Sequence, residues 1–559
     1  MFKSSKKVKQ HNLFSSTSSL LTGSSAKIFV DSTAWHNMFY QNVLINIKEE
    51  IFKDLFNDKM GAPNASIRIL IGMMALKEGF GWSDSELFEN CRFNLLVRAS
   101  LGLINMDEEL PALSTYYLLR ARMHKYTLAT NIDLMEKAFQ AITSKQAFDF
   151  QVKGKSIRMD SKLIGSNIAW SSRYEIIHQV LSLFYESLGD VSRLRLTAND
   201  KSLLDTFTKE TGNKVVYRSS GTEILSKLEV TGVLFYKLVN LFDDRDSKHY
   251  GALKQIFEQH YFLEGIDKIV LRPKEELKAY GVQSPHDTDC TYCNKDGQKV
   301  KGYSVNPTET CDDNSLNLIT GVQVEPDNTP DTKFLCPGIE QTKEVLGHMP
   351  ESIHTDGAYH SVEGTEFCEK ENINLYLNGI QGKPGQYDLE MTPNGLQVTD
   401  SETGEIILAK LAKNNKYSIK TSKGIIRYFT LESIATCQKR KEIANLPYEL
   451  RNKRNNVEAT IFQLSFHTRN NKTRYRGILK TKTWATLRCL WINLVRIMNH
   501  MEKICPKTNK SDNNRSKNRF FSKILIQNKI FTTFFNNYSK IDILFEFISS
   551  KIILKKCTY

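Results

Sequence analysis

The sequence predicts an α/β fold class, a mixed sheet flanked by helices, with an all-helical N-terminal domain before it and a small antiparallel β insertion within it. Three observations support this prediction. Apolar residues recur at helical spacing through residues 40–147, strand-like periodicity begins at Phe148, and alternating patterns fill residues 386–430. The helices therefore precede the sheet, and the β insertion falls late in the chain.

The chain of 559 residues is longer than one hydrophobic core usually organises, so we expect several domains. Changes in composition and periodicity predict these segments: a flexible Ser/Lys-rich arm at 1–30, a helical domain at 31–147, an α/β domain at 148–505 with a helical insertion at about 173–280 and a β insertion at about 386–430, and a basic appendage at 506–559.

The N-terminal helices are predicted from apolar runs and capping signals. Residues 67–76 form a compact apolar helix, and Ser83 followed three residues later by Glu86 is typical of a capping box. A further helix is predicted to open at Pro111.

In the second domain, short β-rich runs predict strands at 148–152, 156–160, 300–305 and 316–324, a strand ending at Asp356, and a strand at 374–377. Helices are predicted at 339–347, after Pro447, and at 483–496.

The charge distribution predicts a polyanionic partner. The formal net charge is +14, and residues 507–559 alone hold eleven Lys or Arg against three acidic residues, which is +8 of that total. The remaining +6 is modest, so charge alone does not establish nucleic-acid binding.

No stretch reaches the roughly 18–20 uncharged apolar residues of a membrane span. The first 25 residues also lack the apolar core of a signal peptide. We therefore expect a cytoplasmic protein with no membrane partner and with its ten cysteines reduced.

Three carboxylates stand in settings that favour metal chemistry. Asp160 and Asp356 are predicted at the ends of β-strands, and Glu458 lies on a helical pattern supported by Val457 and Ile461. Converging carboxylates can hold two divalent metals, and hard oxygen ligands suit Mg²⁺ or Mn²⁺ rather than zinc. Alone, each aspartate would be interpreted as a strand-end cap, and Glu458 as a solvated helix residue paired with Arg454.

Other motifs favour structural roles. Cys290-x-x-Cys293, with Cys311 and Cys336 further along, has spacings too irregular for a typical zinc site, so free thiols are expected. Gly154-Lys155-Ser156 lacks the upstream glycine of a phosphate-binding loop and precedes a strand, so no nucleotide site is predicted.

A basic segment with an aromatic residue follows the Glu458 helix. Arg474, Tyr475, Arg476 and Lys480 combine phosphate-binding charge with a ring able to stack on a base. The alternative is an exposed loop that leads into the next helix.

The predicted elements follow the order of an RNase H-like nuclease core. That order is a strand ending in Asp, a strand hairpin, a second strand ending in Asp, a β insertion and a helix that carries Glu. Over roughly residues 30–500 the chain resembles bacterial insertion-sequence transposases of the DDE class, in the insertion-sequence 1182 group with its insertion-sequence 4 and 5 relatives. The resemblance rests on Pro63, 67–76, Trp82-Ser-Asp84, Asn94-Leu-Leu-Val-Arg98, Leu101-Gly-Leu103 and Pro111, and on Arg158-Met-Asp160, Thr355-Asp356-Gly-Ala-Tyr359 and Arg454-Asn-Asn-Val-Glu458.

The resemblance implies that Asp160, Asp356 and Glu458 bind two Mg²⁺ (or Mn²⁺) ions and cleave the ends of the protein's own element, whose 3′-hydroxyls then join target DNA. It implies double-stranded DNA as partner, both terminal inverted repeats and target, with Arg454 near a phosphate, and a homo-multimer on paired ends. A nuclease or resolvase on the same core, without strand transfer, is one alternative. A decayed copy that binds element ends as a repressor is another.

The chain departs from the family's Tyr-Arg-Glu-Lys signature in two places. Tyr448 precedes Arg454 by more than the usual spacing, and the position seven residues after Glu458 is Ser465 rather than Lys. The basic function is therefore expected from Arg474, Arg476 or Lys480. Glu442 and Glu449 compete with Glu458 for the role of third carboxylate.

Overall fold

A computed structural model of the chain describes residues 1–5, 16–57, 61–244, 247–265, 268–295, 297–380, 382, 385–412, 416–421 and 424–504. Met1–Met501 form one compact unit. The second unit, Glu502–Tyr559, is described only as far as residue 504, so the predicted basic appendage at 506–559 lies outside the described residues.

The first part of the chain is helical. Its helices are α1 (Gly23–Val30), α2 (Trp35–Asn42), α3 (Ile67–Phe80), α4 (Asp84–Phe93), α5 (Leu95–Ser100), α6 (Leu113–Thr130) and α7 (Leu134–Asp149). The capping box is confirmed, because the Ser83 hydroxyl accepts from the Glu86 amide while the Glu86 carboxylate accepts from the Ser83 amide. α3 is buried along nearly its whole length because its apolar residues cover every face.

Two predictions for this part of the chain were wrong. No strand forms at 148–152: α7 continues to Asp149 and a turn follows, and the buried residues of α7 continue at helical spacing as far as Ala147 and leave Phe148 80% exposed. The predicted flexible arm contains α1. It is also held at Thr17, whose amide donates to the Ile104 carbonyl at 2.9 Å, and at Ser5, whose hydroxyl donates to Glu49 at 2.9 Å.

The predicted helical insertion follows the first two strands. These elements are β1 (Ser156–Met159), β2 (Lys162–Gly165), α8 (Arg173–Ser187), α9 (Asp190–Leu194), α10 (Ala198–Lys209), α11 (Gly212–Arg218), α12 (Gly221–Leu241), α13 (Lys248–His260), β3 (Tyr261–Glu264) and β4 (Lys268–Leu271). The insertion has its own apolar core, centred on Ile177, Leu181 and Phe235. Its end is a β-hairpin rather than helix, because β-branched and aromatic residues flank the turn at Gly265.

The main sheet continues with β5 (Thr291–Lys295), β6 (Gln298–Thr310), β7 (Ile319–Pro326), α14 (Leu335–Leu346), β8 (Ser352–Thr355), α15 (Val362–Lys370) and β9 (Asn374–Leu377). The strands at 300–305, 316–324 and 374–377 and the helix at 339–347 are therefore confirmed in position. β5 was not predicted from the sequence, and its polar residues are typical of an edge strand.

The β insertion is confirmed as two three-stranded antiparallel sheets over Tyr387–Phe429. Its strands are β10 (Tyr387–Thr392), β11 (Gly395–Asp400), β12 (Ile406–Leu408), β13 (Lys410–Leu411), β14 (Tyr417–Lys420) and β15 (Ile426–Phe429). The last helices are α16 (Leu431–Asn445), α17 (Tyr448–Asn452), α18 (Val457–Leu464) and α19 (Ile478–Ile504).

The seven-stranded sheet is mixed and flanked by helices, which agrees with the predicted α/β class. Its strand order is β2-β6-β1-β8-β9, with β5 and β7 also paired to β6. β1 runs parallel to β8 and antiparallel to β6, and β8 runs parallel to β9. In the described part of the chain, no helix is both long enough and apolar enough to cross a membrane.

Candidate catalytic site

The two predicted aspartates lie at the same edge of the sheet. Asp160 follows β1 directly, Asp356 follows β8 directly, and these strands are parallel neighbours with Arg158 paired to His354. Since the carboxyl ends of parallel neighbours meet at one edge, both carboxylates project into the same region. Asp160 also interrupts a longer strand, because β1 and β2 on either side of it both pair with β6.

The backbone around Asp356 is tightly constrained. Its carboxylate accepts a hydrogen bond from the Ala358 amide at 2.8 Å and so caps a short 3₁₀ turn. A Cβ on Gly357 would come within 2.2 Å of the Gly379 carbonyl oxygen, so only glycine fits beside the end of β9. These contacts fix the direction of the Asp356 side chain.

The guanidinium of Arg454 joins the three predicted carboxylates. Its Nη2 lies 2.5 Å from Oδ2 of Asp160 and 3.8 Å from Oδ2 of Asp356, and its Nη1 lies 3.9 Å from Oε1 of Glu458. The two aspartate oxygens can therefore be no further apart than the sum of the first two distances, about 6.3 Å. Three carboxylates share one cation here, and none of them has another ion pair among the described residues.

This excess of negative charge is partly buried. The Asp160 and Arg454 side chains are 13% and 14% exposed, and burial raises the pKa of Asp160 to about 6. The charge of Arg454 opposes this shift, while that of Asp356 adds to it. A cation placed at this edge would stabilise the ionised carboxylates.

Glu458 lies near the two aspartates, but it faces solvent. It is the second residue of α18, and its side chain is 69% exposed. The competing glutamates are both exposed, and Glu442 pairs with Lys439 at 3.0 Å on α16, a helix that the sequence did not predict. Of the three candidates, only Glu458 has a described contact with Arg454.

Beneath the carboxylates lies a buried ionic cluster that the sequence did not reveal. Glu309 on β6 is fully buried and accepts from Arg158 Nε at 2.6 Å, from Arg496 Nη2 at 2.6 Å and from the Thr460 hydroxyl at 2.5 Å. Burial alone would raise the pKa of Glu309, yet the two arginines hold it below its ordinary value. The cluster joins β1, β6, α18 and α19.

Arg158 connects this cluster to the site. Its Nη1 donates to the Lys453 carbonyl at 3.1 Å, one residue before Arg454. The position of the Arg454 backbone is therefore set by charges buried under the sheet edge.

The predicted basic segment makes internal contacts. Arg474 donates to the carbonyls of Gly81 and Trp82, and Arg476 donates to the Asn167 carbonyl at 2.7 Å. The Tyr475 hydroxyl donates to the Glu78 carboxylate, so stacking of this ring on a base would require that contact to open. Arg474, Arg476 and Lys480 remain exposed residues of the segment.

The cysteine motif does not form a metal centre among the described residues. Cys290, Cys293, Cys311 and Cys336 are all free thiols. No group of three His, Cys, Asp or Glu side chains is positioned to hold a metal in the part of the chain that the structure describes. A site made from Asp160, Asp356 and Glu458 therefore requires Glu458 to turn in from solvent.

Comparison with known proteins gives one family match. The model of the family described as Transposase domain (DUF772) matches residues 39–122, which correspond to the helices from α2 to α6. This match supports a transposase. No curated protein matches the chain.

A solved structure similar to the chain is the cryo-EM structure of a piggyBac transposase synaptic complex with hairpin DNA. The identity is 9% and the TM-score 0.29, over 88% of this chain and 79% of that one. A TM-score this low supports no conclusion about fold or function.

Proposed function

We propose that this protein is a DDE-class DNA transposase with an RNase H-like core, of the insertion-sequence 1182 group related to insertion-sequence 4 and 5. It would cleave the ends of its own element and join their 3′-hydroxyls to target DNA. The observation that carries the proposal is the convergence of Asp160 and Asp356 at the ends of parallel neighbouring strands. The chain order of first Asp, hairpin, second Asp, β insertion and helix-borne Glu also supports it.

The donor set fits a hard divalent cation. Asp160, Asp356 and Glu458 offer carboxylate oxygens, the ligands that Mg²⁺ and Mn²⁺ prefer, and they carry two more negative charges than Arg454 neutralises. Two such ions, when bound, supply charge stabilisation for the attacking and leaving oxygens of a phosphodiester.

Arg454 would compete with a bound cation for the Asp160 carboxylate, because its Nη2 already lies 2.5 Å from Oδ2. Released from that contact, its guanidinium can hold a DNA phosphate by paired charged hydrogen bonds. The buried Nε of Arg454 has no hydrogen-bond partner among the described residues, so one donor is already free.

The partner of this chemistry would be double-stranded DNA, both the terminal inverted repeats and the target. Two ends must be brought together before they are joined, so a homo-multimer would act on paired ends. The exposed cations Arg474, Arg476 and Lys480 are proposed as phosphate contacts of that DNA.

A second candidate function is end binding without catalysis, by a decayed copy that acts as a repressor. The exposure of Glu458 favours it, because a carboxylate turned to solvent is not preorganised with the other two. A nuclease or resolvase without strand transfer would share the site and differ only in its products.

The test uses the purified full-length protein and a duplex carrying the sequence that flanks the coding region. We expect cleavage and joined products with Mg²⁺ or Mn²⁺ and none in EDTA. Asp160→Asn and Asp356→Asn should abolish cleavage yet keep DNA binding, because phosphate contacts supply most of the affinity. Asp313→Asn is the matched control, since Asp313 is 85% exposed and its one ion pair among the described residues is with Lys453.

Three outcomes would contradict the proposal in different ways. Equal cleavage in EDTA would remove the metal from the mechanism. Cleavage without joined product would favour the nuclease, and binding without any cleavage by the unaltered protein would favour the repressor.

A further inference from the structure

A basic groove begins directly beside Asp160. It has a volume of about 880 Å³, and its walls come from β2, the β5–β6 hairpin and the loop before α19. Five lysines line it, and they are Lys162, Lys295, Lys299, Lys301 and Lys472. Ser161 and Lys162, the two residues after Asp160, belong to the same lining, so the groove is continuous with the proposed catalytic edge.

The described lining of the groove carries a net positive charge. Among the described residues that line it there is no Asp or Glu. None of the five lysines forms an ion pair within the described part of the chain; Lys162 donates instead to the Ser465 hydroxyl at 3.2 Å and Lys472 to the Ile168 carbonyl. A polyanion entering the groove would meet these lysines, with no carboxylate among the described lining residues to compete for them.

An aromatic ring stands among these lysines. Trp170 lines the groove and is 56% exposed, although a large apolar side chain usually packs inside. Lys301 Nζ lies 4.8 Å from its ring centroid, and Tyr292 meets it edge-on with 6.3 Å between centroids and 87° between planes. The indole is thus supported from within the protein and still exposes surface to the groove.

The loop before α19 forms the wall opposite the hairpin, and it is hydrogen-bonded to the sheet. The Gly165 amide donates to the Asn471 carbonyl at 2.8 Å, and the Thr473 amide donates to the Gly165 carbonyl at 2.9 Å. A Cβ on Gly165 would come within 2.9 Å of the Lys472 side chain, so glycine permits the close approach of that loop. Lys472 is therefore held at the groove rather than carried on a free loop.

We propose that this groove binds an unpaired segment of DNA strand next to the catalytic carboxylates, with its backbone on the lysines and a base stacked on Trp170. Lysines that form no ion pair bind phosphates regardless of sequence, and an exposed ring adds stacking only for a base that is not already stacked in a duplex. The inference rests on the proposed function, because it takes DNA as the substrate. It adds that a strand must be unpaired near the site of cleavage.

The test measures binding by fluorescence anisotropy in EDTA, so that no cleavage can occur. The probes are a labelled single strand of about 12 nucleotides, within the site sizes of such grooves, and a blunt duplex of the same sequence. Trp170→Ala should weaken single-strand binding by about fivefold or more and leave the duplex nearly unchanged. Trp170→Phe, which keeps a ring, should recover most of the loss.

The lysines are tested by Lys295→Gln combined with Lys299→Gln, two exposed positions of the hairpin. This variant should bind the single strand more weakly and reduce the slope of log affinity against log salt by about 1.4, which is about 0.7 for each lost phosphate contact. The matched control is Lys343→Gln with Lys370→Gln, exposed lysines on α14 and α15, which should behave like the unaltered protein.

Unchanged single-strand affinity in both groove variants would overturn the inference. A loss in the lysine variant without any loss in Trp170→Ala would make the groove a track for duplex backbone and would also overturn the assignment to an unpaired strand. Absence of metal-dependent cleavage would instead count against the proposed function and leave these binding results intact, because they are measured without metal.

Discussion

The Nη2 atom of Arg454 lies 2.5 Å from Oδ2 of Asp160, although 294 positions separate the two residues. Asp160 ends a central strand, whereas Arg454 lies in a 3₁₀ turn just before α18. The same guanidinium also contacts Asp356 and Glu458. It therefore holds carboxylates of like charge close together, and any cation that binds them must compete with it.

Arg454 offsets the repulsion between the three carboxylates, so its removal should destabilise the protein. We expect Arg454→Gln to lower the free energy of unfolding by about 1–3 kcal/mol without divalent cations, because Asp160 keeps a mostly buried charge with no ion-pair partner among the described residues. Added Mn²⁺ should restore more stability to this variant than to the unaltered protein. Chemical denaturation with and without Mn²⁺ measures both effects.

Arg427→Gln on β15 is the control for charge alone, since Arg427 is exposed and belongs to the β insertion rather than to the site. If Mn²⁺ stabilised Arg454→Gln no more than it stabilised this control, the carboxylates would not be a cation site.

The third carboxylate can be identified by comparing three glutamates. Glu458→Gln should reduce cleavage by at least tenfold, whereas Glu442→Gln and Glu449→Gln should keep most of it. The reason is that Glu458 contacts Arg454, while Glu442 pairs with Lys439. Rates of metal-dependent cleavage under identical conditions give the comparison, and a defect in Glu449→Gln alone would reassign the ligand.

The buried cluster around Glu309 should matter for stability rather than for binding. We expect Glu309→Gln to destabilise the protein by about 3–5 kcal/mol, because Arg158 and Arg496 would lose the charge that compensates them in the interior. The melting temperature measures the loss. Glu351→Gln is the control, because its pair with Lys155 is exposed and should contribute little; equal effects of the two substitutions would contradict the prediction.

Acid sensitivity is expected from His260 in the helical insertion. Burial holds the pKa of His260 at about 4, and its Nδ1 accepts a hydrogen bond from Arg173 Nε at 3.0 Å, which only the neutral ring can do. The unfolded chain takes up a proton near pH 6.5 and the folded chain near 4, so stability is lost as pH falls through this window.

The loss from this one residue approaches about 3 kcal/mol near pH 4. His260→Gln keeps an acceptor for Arg173 without titrating, so its melting temperature should fall less between pH 6.5 and 4.5. His348→Gln, at an exposed position, should follow the unaltered protein. Parallel melting curves for His260→Gln and the unaltered protein would rule out this histidine as the source.

The sequence by itself determined the features that depend on near neighbours in the chain. The capping box at Ser83, the strands that end at Asp160 and Asp356, and the β insertion all follow from residue type and local periodicity. The strand at 148–152 was wrong for the same reason, because a short apolar run suits either a strand or a helix end, and the buried face of α7 decided it.

Only the tertiary structure decided how the site is assembled. In the sequence, Glu309 is an ordinary strand residue. Its ion pairs with Arg158 of β1 and Arg496 of α19 exist only in the folded chain. Tyr475 was predicted to face a nucleic acid, yet its hydroxyl meets Glu78, which lies 397 positions earlier. The groove beside Asp160 likewise combines β2, a hairpin more than a hundred residues later, and the loop before α19. Such contacts join charges and rings that no local pattern brings together, because burial and long-range pairing exist only once the chain has folded.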